Sequence, residues 1–429
     1  MTVREYIKNT WKVFTDPSGF APYPYVPPCL DDGRFTVLYY WDTFFTNEGL
    51  IADGRINDAR NNVNDLIFCL NKFGCVPNCV WERGAEYASQ PPLLYMMVKS
   101  LMKAEPDAEW EKTAVAALEK EYVFWMTERI SPCGLNRHGT NMKDRRTLIR
   151  DYDNYTRIKL PKNVSDDVKA QTMISLTAEG ESGEDHTPRY HRRAAEYAGV
   201  DLNSHLYGLE SFLEEYFDDK DKEKSQKYGE AKNKRAALMK KFMEDPDGVY
   251  HDYRYTDGQR SDVYACACFL PYTVGIASRG IKKLVDKLST PCGFSSCENL
   301  GEDGCQWGYP YVWAPHQYFA YNALTVSGEN ATAKEYALRF MNVIEKTFEK
   351  TGCLWERYEA DGVAKSVEYR TQKMLGWTAG VYNYLYDIIR REYVKRLSLR
   401  KDDTSREKFF TARIVFLPPR ENLAAAELL

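Results

Sequence analysis

The stretch Asp107 to Met126, DAEWEKTAVAALEKEYVFWM, decides the fold class. Trp110, Ala114, Ala117, Leu118, Tyr122 and Trp125 recur at helical spacing, so apolar side chains line one face while Glu and Lys fill the other. The same stripe returns in Ala333, Tyr336, Ala337, Phe340, Ile344 and Phe348, where Thr332 and Glu335 are spaced as a capping box. Leu206, Leu209, Leu213 and Tyr216 mark another helix, and Val381, Leu385 and Ile388 a late one. Residues 1–15 read as a short amphipathic helix ending at Thr15-Asp16-Pro17. Alternating strand patterns are scarce before residue 405. Roughly a dozen helices are expected between residues 42 and 396.

The connections between these helices are aromatic and rich in Gly and Pro: ASQPPL, GESGED, QWGYPYVWAP, LWERYEA. An all-α (α/α)6 barrel, a toroid of six helical hairpins, would gather them at one end over a single shared core. No fixed-period self-similarity supports the alternative, an α-solenoid. The expected organisation is one catalytic domain over residues 1–396, including an N-terminal arm, and a tail over 397–429 with one candidate strand and no assigned role. The charge run at residues 217–236, FDDKDKEKSQKYGEAKNKRA, reads as a solvated helix face.

Composition narrows the function. The chain has 429 residues, with 58 basic and 62 acidic side chains and a net charge of −4, which favours neither a nucleic acid nor a membrane surface as partner. Aromatics reach 14%, with 31 Tyr and 9 Trp, many beside Gly, Pro and Asp, as in a cleft lined by flat, half-polar rings. Among 11 Cys, Cys75-x-x-x-Cys79 and Cys266-x-Cys268 lack a second ligand pair at zinc spacing, so no metal site is expected. The start, MTVREYIKNTWKVF, has no apolar leader core, and with the unpaired cysteine count this leads to the expectation of a soluble, cytoplasmic protein.

Two stretches carry chemistry. In GESGEDHTPRY, Gly180 to Tyr190, small residues bring the backbone close to a partner and leave Asp185 projecting. In LWERYEA, Leu354 to Ala360, Glu356 sits among aromatics, where poor hydration raises a carboxyl pKa. Two carboxylates facing across a bound sugar are the minimal apparatus of glycoside hydrolysis.

The order of these motifs resembles the trehalase family of glycoside hydrolases, inverting α-glycosidases on an (α/α)6 barrel. DDGRFTVLYYWDTFF resembles the family's PGGRF and YxWD signature, QWGYPYVWAP its QWDYPxxWxP, GESGED its ESGWD, and LWERYEA the segment carrying its base. VDLNSHLYGLE and GWTAGV follow in the expected order, and the match runs from about Trp11 to about Tyr384. The resemblance implies Asp185 as general acid and Glu356 as general base, acting on a small carbohydrate without metal or cofactor. It implies sugar contacts from Arg34, Phe35, Tyr39, Trp41, Asp42, Asn78, Gln90, Asn136, Arg157, Gly183, Trp307, Trp313, Glu368 and Tyr369. The departures are specific. The family's arginine before SQPP is Ala88, the tryptophan of ESGWD is Glu184, the aspartate of QWDYP is Gly308, and EADGVAKSV replaces a glycine-rich lid. These departures point to an α-glycoside other than trehalose as the preferred substrate, with a true trehalase as the alternative. Two further readings stay open at this point. A sugar epimerase on the same barrel would use His186 or His316, and a sugar-binding pseudoenzyme would follow from Ala88 and Gly308.

Overall fold

The structure, a computed structural model, describes residues 1–29, 35–301 and 304–401. Arg34 and the candidate tail strand lie outside the described residues. The helices are α1 (Val3–Thr10), α2 (Tyr40–Ala52), α3 (Ile56–Phe73), α4 (Leu94–Ala104), α5 (Ala108–Glu128), α6 (Arg145–Asp153), α7 (Asp166–Glu181), α8 (Val200–Phe217), α9 (Lys222–Met243), α10 (Leu270–Thr273), α11 (Ile281–Leu288), α12 (Ala314–Val326), α13 (Asn330–Thr351) and α14 (Gly376–Lys401). Among the described residues the strands are two or three residues long, so the fold is all-α.

Within the compact unit Met1–Asp387, six helices close a ring. α2 packs on α4, and Gly208 of α8 lies against the Tyr95 ring of α4. α8 meets α10, α10 meets α12, and Tyr318 of α12 packs against Tyr384 of α14 with ring centroids 4.5 Å apart and the rings tilted by 45°. Gly380 of α14 closes the ring on α2: a Cβ there would fall 1.7 Å from the Phe45 carbonyl oxygen, so only glycine permits this approach. Outer helices back the ring, α3 on α2, α5 on α4, α9 on α8 and α13 on α12. This is the (α/α)6 barrel. The hairpin of α6 and α7 stands apart from the ring's pairings and reaches the cavity described below.

Several local expectations change. α1 stops at Thr10, with Thr2 and Glu5 forming its capping box. α13 begins at Asn330, so Thr332 lies inside the helix; the turn at Gly328, with φ +80°, lets the helix start before the Thr332–Glu335 pair. The charge run is not wholly solvated, because α9 buries Tyr228 and Arg235. Among the described residues no helix is long and apolar enough to cross a membrane.

Candidate active site

The inner helices α2, α12 and α14 all start at one end of the ring. Trp41 and Asp42 lie in the first turn of α2, Trp313 directly precedes α12, and Trp377 opens α14. All four line one cavity of about 890 Å³. Phe35, Tyr39, Asn78, Gln90, Arg157, Gly183, Asp185, Trp307, Glu356, Glu368 and Tyr369 line it too.

Trp307 and Trp313 stack with centroids 3.8 Å apart at 7°, and Trp41 meets Trp307 at 5.6 Å. Trp313 is fully buried, so it backs Trp307. The Trp41 backbone N–H donates to Gln90 Oε1 at 3.1 Å, which fixes the entry of α2. Gly183, with φ +81°, packs under Trp41: a Cβ would fall 2.8 Å from that ring.

Glu356 is held from several directions. Its N–H donates to Gln372 O at 2.9 Å, and its carbonyl accepts from Trp377 Nε1 at 3.0 Å. Its carboxylate accepts from the Tyr369 hydroxyl at 2.5 Å and lies 3.6 Å from the Arg357 guanidinium. Burial raises its pKa, and Arg357 and the Tyr369 hydrogen bond oppose that rise. Asp185 is more open, with 33% of its side chain exposed against 2% for Glu356. Its Oδ2 accepts from Arg157 Nη2 at 2.7 Å. Arg157 Nε donates to Glu368, whose other oxygen pairs with His186 Nδ1 at 2.6 Å, and His186 Nε2 bonds the Tyr155 hydroxyl at 2.7 Å. Asp42 is buried beside both carboxylates. Burial pushes its pKa up to about 8, and repulsion from Glu356 and Asp185 adds to the rise.

One expected contact is corrected. Asn136 is absent from the cavity lining and is buried as a strut. Its Nδ2 donates to the Trp125 carbonyl at 2.6 Å, its Oδ1 accepts from Arg235 at 2.8 Å, and its N–H donates to Asn203 Oδ1 at 2.9 Å. The side-chain amide ties α5 to α9 while the Asn136 backbone is held by Asn203 of α8, and neither reaches the cavity.

The departures also find places. Ala88 lines the cavity, so an arginine is missing from its wall. Glu184 is buried away from it, 2.9 Å from His316 Nε2 and 3.5 Å from Arg189, which is itself clamped between Asp201 and Asp252 at 2.7 Å each. Gly308 is outside the lining. EADGVAKSV begins as a tight hairpin, Tyr358 pairing with Val363, that returns the chain to Glu368 and Tyr369. Sequence reasoning missed Trp377 and Tyr155 in the wall, and it raised His186 only for an epimerase, whereas the fold sets it behind the wall against Glu368. Trp377 stands in the GWTAGV motif and Tyr155 two residues before Arg157, signals that were there to be used.

A cavity walled by tryptophans, with the buried Glu356 and the more open Asp185 among its carboxylates, is suited to cutting glycosidic bonds, and the protein is a glycoside hydrolase. A family model described as Trehalase matches residues 9–389, and the chain belongs to that family. The chain is 28% identical over 389 residues to the periplasmic trehalase of Xanthomonas oryzae pv. oryzae, covering 84% of this chain and 67% of the relative. It is 28% identical over 390 residues to the periplasmic trehalase of Pseudomonas aeruginosa, covering 84% and 70%. In fold it is similar to the neutral trehalase of Saccharomyces cerevisiae, with TM-score 0.71 and 24% identity over 90% of this chain and 80% of that one. It is also similar to a mannosylglycerate hydrolase of Thermus thermophilus, with TM-score 0.57 and 16% identity over 90% and 99%. The expectation of a cytoplasmic protein is overturned, since these curated relatives are periplasmic by name. The cysteines misled: all but Cys79 and Cys133 are buried, and a buried thiol does not report the redox state of its compartment.

Proposed function

We propose that the protein hydrolyses a small α-linked glucoside with inversion, Asp185 acting as general acid and Glu356 as general base. The observation that carries this is that Asp185 and Glu356, on the two segments that match the family's acid and base, line one cavity. Glu356 takes a proton from water, the water oxygen bonds to the anomeric carbon, the glycosidic C–O bond breaks, and the Asp185 proton goes to the departing oxygen. Inversion requires room for the water, roughly 6.5–9.5 Å between the carboxyls. Trp41 and Trp307 offer ring faces to the sugar, and Asp42 and Arg157 offer hydroxyl partners.

Trehalose is the first substrate to test, because the relatives are named trehalases. Two of the departures that argued for another substrate, Glu184 and Gly308, lie outside the cavity wall, which leaves Ala88 and the altered lid as the case against it. The test is a panel of α-linked disaccharides scored for released monosaccharide, with Asp185→Asn and Glu356→Gln alongside. Each variant should lose about 10²–10⁴-fold in turnover while remaining folded. Full activity in either removes that residue from the mechanism.

A further inference from the structure

A second cavity of about 280 Å³ is lined from α4, α8, α10 and α12 and shares no lining residue with the large one. Helix α12 measures the separation. Trp313, just ahead of it, lines the first cavity, and Asn322 and Val326 in its far half line the second. Tyr318 and Phe319 line the second as well, so at about 1.5 Å per residue the two linings are roughly 8–20 Å apart along the helix. Rings of Phe44 and Phe45 pack from α2 against Tyr318 and Phe319 in the wall of the second cavity, Phe44 and Tyr318 meeting at 5.3 Å and Phe45 and Phe319 at 5.7 Å.

The second cavity has polar groups that the protein itself leaves unused. Tyr95 is 7% exposed and His205 3%, and neither the hydroxyl nor the imidazole has a hydrogen-bond partner among the described residues. Gly208 makes room for the Tyr95 hydroxyl, since a Cβ at that position would fall 2.3 Å from it. Burial lowers the His205 pKa to about 4, so the ring is neutral and presents one donor and one acceptor. The Phe319 ring, 5.4 Å from His205, and Phe212 supply apolar faces. Lys99 and Glu215, both exposed, are of opposite sign, and no buried charge lines the cavity. A charged group seated against Tyr95 and His205 would find no buried counter-charge among the lining residues. The volume lies at the lower edge of the about 300–1,000 Å³ usual for small-molecule sites, which suits one ring rather than two.

From this geometry we infer that the second cavity is a binding site for a neutral monosaccharide, gripped by the Tyr95 hydroxyl and the His205 imidazole against the Phe319 ring. The site stands independently of the mechanism proposed above.

The experiment is a crystal of the full chain soaked in D-glucose, with calorimetric titration of the wild type, Ser211→Trp and Tyr95→Phe. Ser211 lines the second cavity, so Trp there fills it, while Phe at 95 removes only the hydroxyl. The expected result is hexose within hydrogen-bond reach of Tyr95 and His205, loss of one equivalent of binding in Ser211→Trp, and several-fold weaker binding at that site in Tyr95→Phe, with hydrolysis unchanged in both. Water alone in the second cavity while hexose fills the first overturns the inference, as does a Ser211→Trp titration identical to wild type. Should Ser211→Trp fail to fold, Tyr95→Phe decides, and an unchanged affinity there counts against the site.

Discussion

Asp42→Asn should make the protein more stable than the wild type, and increasingly so as pH rises. Asp42 is buried beside Glu356 and Asp185, and its pKa is pushed from 3.8 to about 8. Below 3.8 both folded and unfolded chains carry the proton and the substitution gains nothing by this route. Between 3.8 and 8 the unfolded chain releases the proton freely while the folded chain keeps it, so wild-type stability falls through that window. At about 1.36 kcal/mol per pH unit the full linkage is about 5–6 kcal/mol. Glu356 is pushed up as well, so the neighbours share their repulsion, and about 2–4 kcal/mol is the expected change between about pH 5 and pH 8. Asn has nearly the same shape and no charge to lose. The assay is urea unfolding of both proteins across that range. A stability difference that does not widen with pH would mean that Asp42 ionises as readily in the fold as outside it, and the argument from burial and carboxylate crowding would fail.

Other outcomes follow from the same contacts. Tyr369→Phe removes a hydrogen bond that favours ionised Glu356, so the acid limb of the kcat/KM profile should move to higher pH; an unmoved limb would separate Glu356 from that ionisation. Gly380→Ala should destabilise by about 1–3 kcal/mol or more, because α14 must lift from the Phe45 carbonyl, and a thermal melt within a degree of wild type would contradict the close approach. Ala88→Arg, which places the family's arginine in the cavity wall, should raise trehalose kcat/KM about 10- to 100-fold, and an unchanged value would show that the contact is compensated elsewhere, with Arg157 the first place to look.

The helical architecture was legible because burial writes a 3.6-residue stripe: the pattern read in Asp107–Met126 is the buried face of α5. The site was legible where function concentrates unusual residues in short runs, as around Asp185 and Glu356. What was hidden depends on distance or on chemistry that a single residue type does not reveal. His186 and Glu368 are 182 positions apart, and nothing local couples them. Asn136 has the amide a sugar contact needs, yet the same amide is spent on the Trp125 carbonyl and Arg235. Arg235 sits in a run of lysines, where one inward turn per helix does not stand out; it pairs with Glu210 at 2.7 Å. The departures at Glu184 and Gly308 looked like losses from the sugar shell, and only the fold places them behind it.

The most direct test of the proposed mechanism is the anomeric form of the first sugar released. Proton NMR of a fresh reaction on an α-glucoside whose leaving group is not glucose, recorded faster than mutarotation, should show β-glucose from the cut residue before the α form appears. An α anomer appearing first would mean retention, and Glu356 would then have to act as a nucleophile rather than as the base that activates water.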